Sequence, residues 1–508
     1  MKLIKTHKIE ILLLVLIIAG YFILRLPNLT LQPIFADEAI YIRWAQVMRS
    51  EPTLRFLPLS DGKTPLFMWM MIPLFKIFSD PLFAGRFLSI ISGFFTLAGV
   101  FFLARKVFGL KTALWASLLY VIIPYTVFFD RMALVDSMLA SFSIWSLYFA
   151  LWLIRSLRLD LSMILGFLLG GALLTKTPAM MNLLILPIVL VGLKKNNQGK
   201  YPIVRVVGLL AISVFIAFGV YNLLRLGPNF HMLSSRNQDY IFSPLELIGR
   251  PLDPFIPHFY DIADWFPKLF TLPILILIGI GVYHLLFSLN RLGLVMIGWA
   301  LIPLIIQMIF LRTFTARYLL SAVAPLLIFG GLGINKALER VRIDNLFNKD
   351  YKGMPLKVFI VLIAILPLAL KFDYQLIKNP PPDSLPLEER RGYFEDWTAG
   401  YGFLDIAKFL VEKSKDQKVV LGTSGFFGTL PDGIQIYLDK SKISIVGSSA
   451  TISAQIRNAA KDNLTYFLGN KKDLENKVRD LVLIKEYPKL RPLDNSLPDA
   501  TVLYQVLP

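Results

Sequence analysis

Two adjacent carboxylates, Asp37 and Glu38 in the stretch FADEAIYIRWAQVM, are the first residues whose type and placement could carry acid–base chemistry. They open an amphipathic helical pattern and admit two readings. Acidic groups at a helix start complement its dipole and free N–H groups, and the dipeptide alone favours this capping role. At a membrane surface, partial desolvation raises a carboxylate pKa, which makes the pair a candidate general base. A second acid and several cations follow: Lys63 in DGKTPLFMW, Arg86, then Asp130, Arg131 and Asp136 in FFDRMALVDSML, Lys176 in LLTKTPA, Arg236 in SSRNQDY, and Arg312, Arg317 and Tyr318 in RTFTARYLL. Taken singly, each cation reads as a side chain snorkelling to an interface. Gathered on one face they would suit a phosphate, which guanidinium and ammonium groups bind strongly at low dielectric and neutralise as it departs. An acidic base facing a phosphate clamp is an arrangement for group transfer from a lipid phosphate.

Whether these residues meet depends on how the chain is threaded. Its 508 residues are 55% hydrophobic, its mean hydropathy is +0.60, and the apolar residues come in blocks, which means lipid rather than a water-facing core. The net charge of +18 sits mostly at the ends of apolar segments, so it reports topology and not a nucleic-acid partner. The chain has no cysteine, which excludes disulfides and thiolate metal sites. Ile9 to Leu26 follows the basic leader Lys2, Lys5 and Lys8 but is too long for a signal peptide and lacks a small-residue cleavage site, so it reads as a retained first helix with a cytoplasmic amino terminus.

From that anchor, apolar segments beginning near Ile9, Leu82, Ala113, Met138, Leu161, Pro178, Val206, Leu269, Leu292, Tyr318 and Val358 give about eleven spans. The basic links Arg105, Lys106 and Lys111; Arg155 and Arg158; Lys194, Lys195, Lys200 and Arg205; Arg291; and Lys336, Arg340 and Arg342 then fall on the cytoplasmic side. This count requires Pro65 to Phe78 to be an interfacial or re-entrant helix, because a span there would invert the basic cluster that follows. The expected organisation is a polytopic α-helical membrane domain, 1–372, with outward loops 27–81 and 225–268. A Pro-rich linker, 373–402, leads to a small extracytoplasmic α/β domain, 403–508. In that domain Val419–Gly422, Ile434–Leu438, Ile443–Val446, Leu481–Ile484 and Val502–Val506 are expected as strands and Leu404–Glu412 as a helix. Gly422–Gly428, GTSGFFG, lacks the glycine spacing of a nucleotide-binding loop and reads as a turn after a strand. His231 and His258 lack close ligand spacing and read as loop residues.

In their order, the acidic pair after the first span, KTPLFMW, R-x-A-L-V-D, LLTK and RYLL-x-x-x-P resemble the GT-C membrane glycosyltransferases, in particular bacterial members akin to protein O-mannosyltransferases and lipid A aminoarabinose transferases. The likeness runs from Ile9 to about Gly333, and YFEDWTAGYGF, Tyr393 to Phe403, resembles a stretch after the last span of bacterial relatives. The resemblance implies an inverting transfer of a sugar from a polyprenyl phosphate to an acceptor hydroxyl on a lipid, a glycan or a protein, at the non-cytoplasmic face of the plasma membrane. It implies Asp37 as general base within the acidic motif Asp37–Glu38, Asp136 as a second acid lining the site, and Lys63 and Arg86, with Arg131, Arg317, Tyr318 and Arg236, as donor-phosphate ligands. Relatives commonly have Lys-Pro-Pro or an acidic residue before the lysine. This chain has Gly62, Lys63, Thr64 and Pro65, so the divalent metal that the resemblance leaves open has no acidic ligand directly before that lysine. A transporter or flippase of lipid-linked sugars is the alternative, and would need charged or broken-helix sites at mid-membrane.

Overall fold

The computed structural model describes residues 2–195, 199–250, 252–340, 353–449, 451–474, 481–494 and 496–508; Arg342, of the expected basic links, lies outside them. Apolar helices occupy all eleven expected positions, from Lys2–Arg25 at the start to Gly353–Lys378 at the end. Among the described residues, five helices are long and apolar enough to cross a bilayer, and two bent pairs bring the number to seven. The bends fall at Pro124, after Ile122, and at Thr271–Leu272, where Phe255–Leu269 meets Leu272–Ser288 at 110°. A proline at the first turn of a helix is tolerated there but cannot donate back across the break. Burial sorts the spans: the segment Ala316–Glu339 is 83% enclosed by its neighbours, whereas Ile203–Leu226 is only 28% enclosed. The latter presents Val204 and Phe215 outward, which fits a lipid-facing helix. The protein is a multi-pass membrane protein.

Pro65–Phe78 forms the short helix Leu66–Met71 and a 3₁₀ turn, Ile72–Lys76. Eleven residues reach roughly 16 Å at helical rise, half of a bilayer core. It therefore does not span, and the candidate residues stay at one end of the bundle. The basic links gather at the other end: Lys106 lies 3.9 Å over Trp152, Arg205 donates to the Leu157 carbonyl, and Arg291 donates to that of Leu193.

Beyond the last apolar helix, which runs to Lys378, the chain returns to the bundle instead of leaving as a free linker. Strand β1, Ile34–Phe35, pairs antiparallel with β2, Ala399–Gly400, and the Ala36 amide donates to the Thr398 carbonyl at 3.0 Å. The following domain carries a five-stranded sheet of order β4-β3-β5-β7-β6, formed by β3 Val419–Ser424, β4 Ser444–Ser448, β5 Leu464–Asn470, β6 Leu481–Pro488 and β7 Ala500–Val506. β3 is parallel to both β4 and β5, and β7 is antiparallel to β5 and to β6. One expectation is corrected, and one strand is added to those expected. Ile434–Leu438 lies in a helix, Asp432–Leu438, because the alternation in IQIYL is too short to separate a strand period from a single helical turn. The buried strand Leu464–Asn470 lay unread in the sequence.

That same short helix docks the domain onto Ala36–Ser50, the helix bearing the acidic pair. Arg43 and Arg49 hold Asp439 at 2.7 and 2.9 Å, and Gln46 donates to the Ile436 carbonyl at 2.8 Å. Asp439→Ala leaves two partly buried guanidinium groups without their carboxylate, at a cost of about 1–3 kcal/mol. Amide hydrogen exchange across residues 36–50 is expected to accelerate in this variant, while exchange in the helix Pro81–Phe108 stays as in the wild type.

Candidate active site

The acidic pair divides into two roles. Successive residues on a helix point about 100° apart, so Glu38 turns into the protein and Asp37 away from it. Glu38 is fully buried. It accepts two hydrogen bonds from Arg86, at 2.8 and 2.7 Å, and others from the Phe35 and Ala133 amides at 3.0 and 2.6 Å. The Phe35 bond caps the helix start. Arg86, also fully buried, spends its remaining donors on the carbonyls of Leu29, Gln32 and Pro33. Two sequence expectations are thereby corrected: Glu38 has no free oxygen for proton transfer, and Arg86 has no free donor for phosphate. Arg131 is corrected too. Its guanidinium donates to the carbonyls of Arg25, Pro27 and Asn28, closing the end of the first helix. Beneath it Arg25 pairs with Asp130 at 3.0 Å, both buried within the bundle.

Asp37 faces a different set of neighbours. One oxygen accepts from Arg317 at 2.7 Å, and the other lies 3.6 Å from the Lys63 ammonium. Burial alone would raise its pKa; the Arg317 and Lys63 cations, with Lys176 farther off, hold it at about 2. Lys63 is fixed by the Asp61–Gly62–Lys63 turn. Gly62 has φ +67°, and a Cβ there would stand 2.5 Å from that of Arg236, so only glycine lets the helix Met232–Tyr240 close on the turn. Arg236 then bonds Asp61 at 3.0 Å and Asp239 at 2.7 Å, and Asp61 lies 3.4 Å from Lys63. The Lys63 ammonium sits over the rings of Tyr41 and Trp44, at 5.4 and 5.9 Å, one and two turns beyond Asp37 on the same helical face. Asp136 binds Lys176 at 2.7 Å, and Lys176 rests 3.9 Å over the ring of Tyr318.

Asp37, Asp136, Lys63, Arg317, Tyr318 and, through Asp61, Arg236 are thus linked at one end of the bundle. Sequence reasoning passed over Asp61, Tyr41 and Glu389, and counted Lys176 among the phosphate-suited cations without an individual role. Glu389 accepts from the Ala316 amide at 2.9 Å, directly behind Arg317. Burial pushes its pKa up to about 7, against the pull of that amide and of Arg317. The charge pattern marked Lys176; nothing local marked Glu389, which arrives from the far side of the last helix. Several buried polar atoms here have no partner among the described residues: Thr64 Oγ1, Arg236 Nε, Thr315 Oγ1 and Arg317 Nε. Buried donors without partners are rare in folded proteins, and their concentration here marks a place that a polar ligand completes.

A divalent metal does not fit these residues. Asp37 already shares its oxygens with two cations, and among the described residues no group of three or more histidine, aspartate or glutamate side chains could hold an ion. His258 instead lies against Phe314 and bonds the Met308 carbonyl.

Residues 62–221 match the family model of dolichyl-phosphate-mannose-protein mannosyltransferase. No curated protein sequence matches the chain. Among solved structures, ArnT from Cupriavidus metallidurans bound to undecaprenyl phosphate superposes with a TM-score of 0.56 at 15% identity, over 97% of this chain and 97% of that one. Its apo state gives 0.58 at 14% identity, over 99% and 98%. The Archaeoglobus fulgidus oligosaccharyltransferase AglB, in complex with an inhibitory peptide and a dolichol-phosphate, gives 0.54 at 13% identity, over 92% of this chain and 70% of that one. The chain has the fold of these proteins, the GT-C architecture together with its carboxy-terminal domain.

The division of the acidic pair has a direct consequence for stability. Arg86→Leu strands a buried carboxylate and is expected to cost about 3–5 kcal/mol, seen as a large fall in melting temperature in detergent. Lys63→Met leaves Asp37 bound to Arg317 and costs about 1 kcal/mol or less.

Proposed function

We propose that the protein transfers a sugar from a polyprenyl-phosphate donor to an acceptor hydroxyl, with inversion at the anomeric carbon, on the non-cytoplasmic face of the plasma membrane. The observation that carries this reading is a buried-edge carboxylate, Asp37, whose two oxygens are held by Arg317 and Lys63 amid donors that lack partners. The family match and the lipid phosphates named with the ArnT and AglB structures support the donor class. The face follows from charge: the opposite end of the bundle carries the basic links, which are retained in the cytoplasm.

The donor phosphate and Asp37 need the same two cations. The donor is a phosphodiester with one negative charge, so on arrival its free oxygens compete with Asp37 for Lys63 and Arg317, and it draws them away more strongly as the charge on the leaving phosphate grows toward two. Asp37 then keeps its partial burial and loses its counter-ions, and its pKa rises toward the value of a useful base. The acceptor oxygen attacks the anomeric carbon, the bond from that carbon to the phosphate oxygen breaks, and the electron pair leaves with the polyprenyl phosphate. The acceptor proton passes to Asp37. Lys63 and Arg317, with Arg236 and Tyr318 beside them, neutralise the charge that grows on the leaving phosphate. Asp136, held by Lys176, orients sugar or acceptor hydroxyls. Asp37 and its cations lie together at one end of the bundle, whereas a carrier of lipid-linked sugar needs its site near mid-depth.

Asp37→Asn is expected to lower kcat for sugar transfer in proteoliposomes by about 10²–10⁴-fold, and unchanged transfer would sink the assignment. The pH profiles should separate as well. With Asp37 at about 2 in the free enzyme and higher once the donor holds its cations, kcat falls on acidification at a higher pH than kcat/KM does. Coincident acid limbs would contradict the exchange of cations.

A further inference from the structure

The carboxy-terminal domain contains an open cavity of about 260 Å³ to which the transfer reaction gives no role. It lies where the carboxyl ends of the three parallel strands converge, at Ser424 of β3, Ser448 of β4 and Asn470 of β5. The chain passes from the central strand β3 first to β4 on one side and then to β5 on the other, so this is the point where connections reverse. Open parallel sheets bind ligands at that point.

Three aromatic rings form the rim: Trp397, Phe426 and Phe427, which are 59, 74 and 48% exposed. Rings this exposed are unfavourable in water unless something covers them. Phe426 is seated against Gly447, where a Cβ would come within 2.9 Å of its ring. Below the rings the walls are hydroxyl and amide groups. Thr429 also lines the cavity; it is 4% exposed and its Oγ1 has no partner among the described residues. The described lining includes no lysine or arginine and one acid, Asp473. The two glycine amides of the loop are already engaged, Gly425 by the Ser448 carbonyl and Gly428 by Asp432, and with no cation in the described lining the cavity is poorly suited to an anion.

Apolar faces above neutral hydrogen-bonding groups match an uncharged sugar, which has C–H faces and a hydroxyl edge. Residues of the cavity rim also touch the helix that bears Asp37. Phe427 packs 5.8 Å from Trp44, the residue under Lys63 on the same helical face as Asp37. Trp397 precedes Thr398, whose carbonyl holds the Ala36 amide.

We infer that this cavity is a saccharide subsite that takes an uncharged sugar unit of a glycan acceptor while a hydroxyl farther along that glycan reaches Asp37. The role as acceptor subsite rests on the transfer reading above; the binding of saccharide does not. Saturation-transfer NMR on the full-length protein in nanodiscs, with mannotriose, chitotriose and maltotriose as probes, tests it. At least one trisaccharide is expected to receive saturation, with affinity at least tenfold weaker in Trp397→Ala and in Phe426→Ala, the latter a change at a highly exposed ring. No signal from any of the three, or equal affinity in both variants, overturns the proposal. Asp37→Asn is expected to bind the trisaccharide as the wild type does. Transfer that survives Asp37→Asn would remove the catalytic reading and leave the saccharide result standing.

Discussion

The buried pair of Glu38 and Arg86 is the constraint on which the rest of the site depends. Two charges without access to water are stable only when each lone pair and each N–H finds a partner, and here the partners come from far apart in the chain. Arg86 sits on the helix Pro81–Phe108 and gathers three carbonyls of the loop 29–33. Glu38 adds the Phe35 and Ala133 amides. Helix start, loop and the turn before Asp136 are thereby fixed together, and Asp37, one residue away, is aimed at Lys63 and Arg317 with little freedom. An acid that performs chemistry must stay incompletely satisfied. Its neighbour is complete so that it can be.

A second constraint comes from the far end of the sequence. The segment 387–400 lies behind Arg317 through Glu389 and beside the acidic helix through β1 and β2. Tyr393 packs against Phe35 with ring centroids 4.5 Å apart, and the Arg317 guanidinium stands 5.3 Å over the Phe35 ring. The carboxy-terminal domain then grips the outer half of the helix Ala36–Ser50 through Asp439. The domain thus braces the helix that carries Asp37, and Phe427 at the end of its sheet packs on Trp44 of the same helix.

Much of this was legible in the sequence. Apolar blocks and the placement of lysine and arginine gave the threading, because bilayer thickness and charge retention act on short segments. Reading Pro65–Phe78 as too short to span kept Asp37, Lys63, Asp136 and Arg317 together. What local pattern could not resolve was which member of a charged group is spent on structure. Glu38 and Asp37 are chemically equivalent in the sequence, and Arg86, Arg131 and Arg317 are all arginines at the same end of the bundle. Only long-range partners separate them: the buried Glu38 carboxylate and backbone carbonyls for Arg86, backbone carbonyls alone for Arg131, and the partly buried Asp37 carboxylate for Arg317. The expected strand Ile434–Leu438 proved helical and the strand Leu464–Asn470 went unread for a related reason, since short buried runs lack a distinguishing period.

The central claim is that Asp37 and the donor phosphate exchange the same two cations. A structure of the protein with polyprenyl phosphate bound tests it most directly. The account predicts phosphate oxygens at about 2.7–3.1 Å from the Lys63 ammonium and the Arg317 guanidinium, with the Asp37 carboxylate released from Arg317 and facing the position of the acceptor hydroxyl. A phosphate bound elsewhere, with the bond between Asp37 and Arg317 intact, would contradict it.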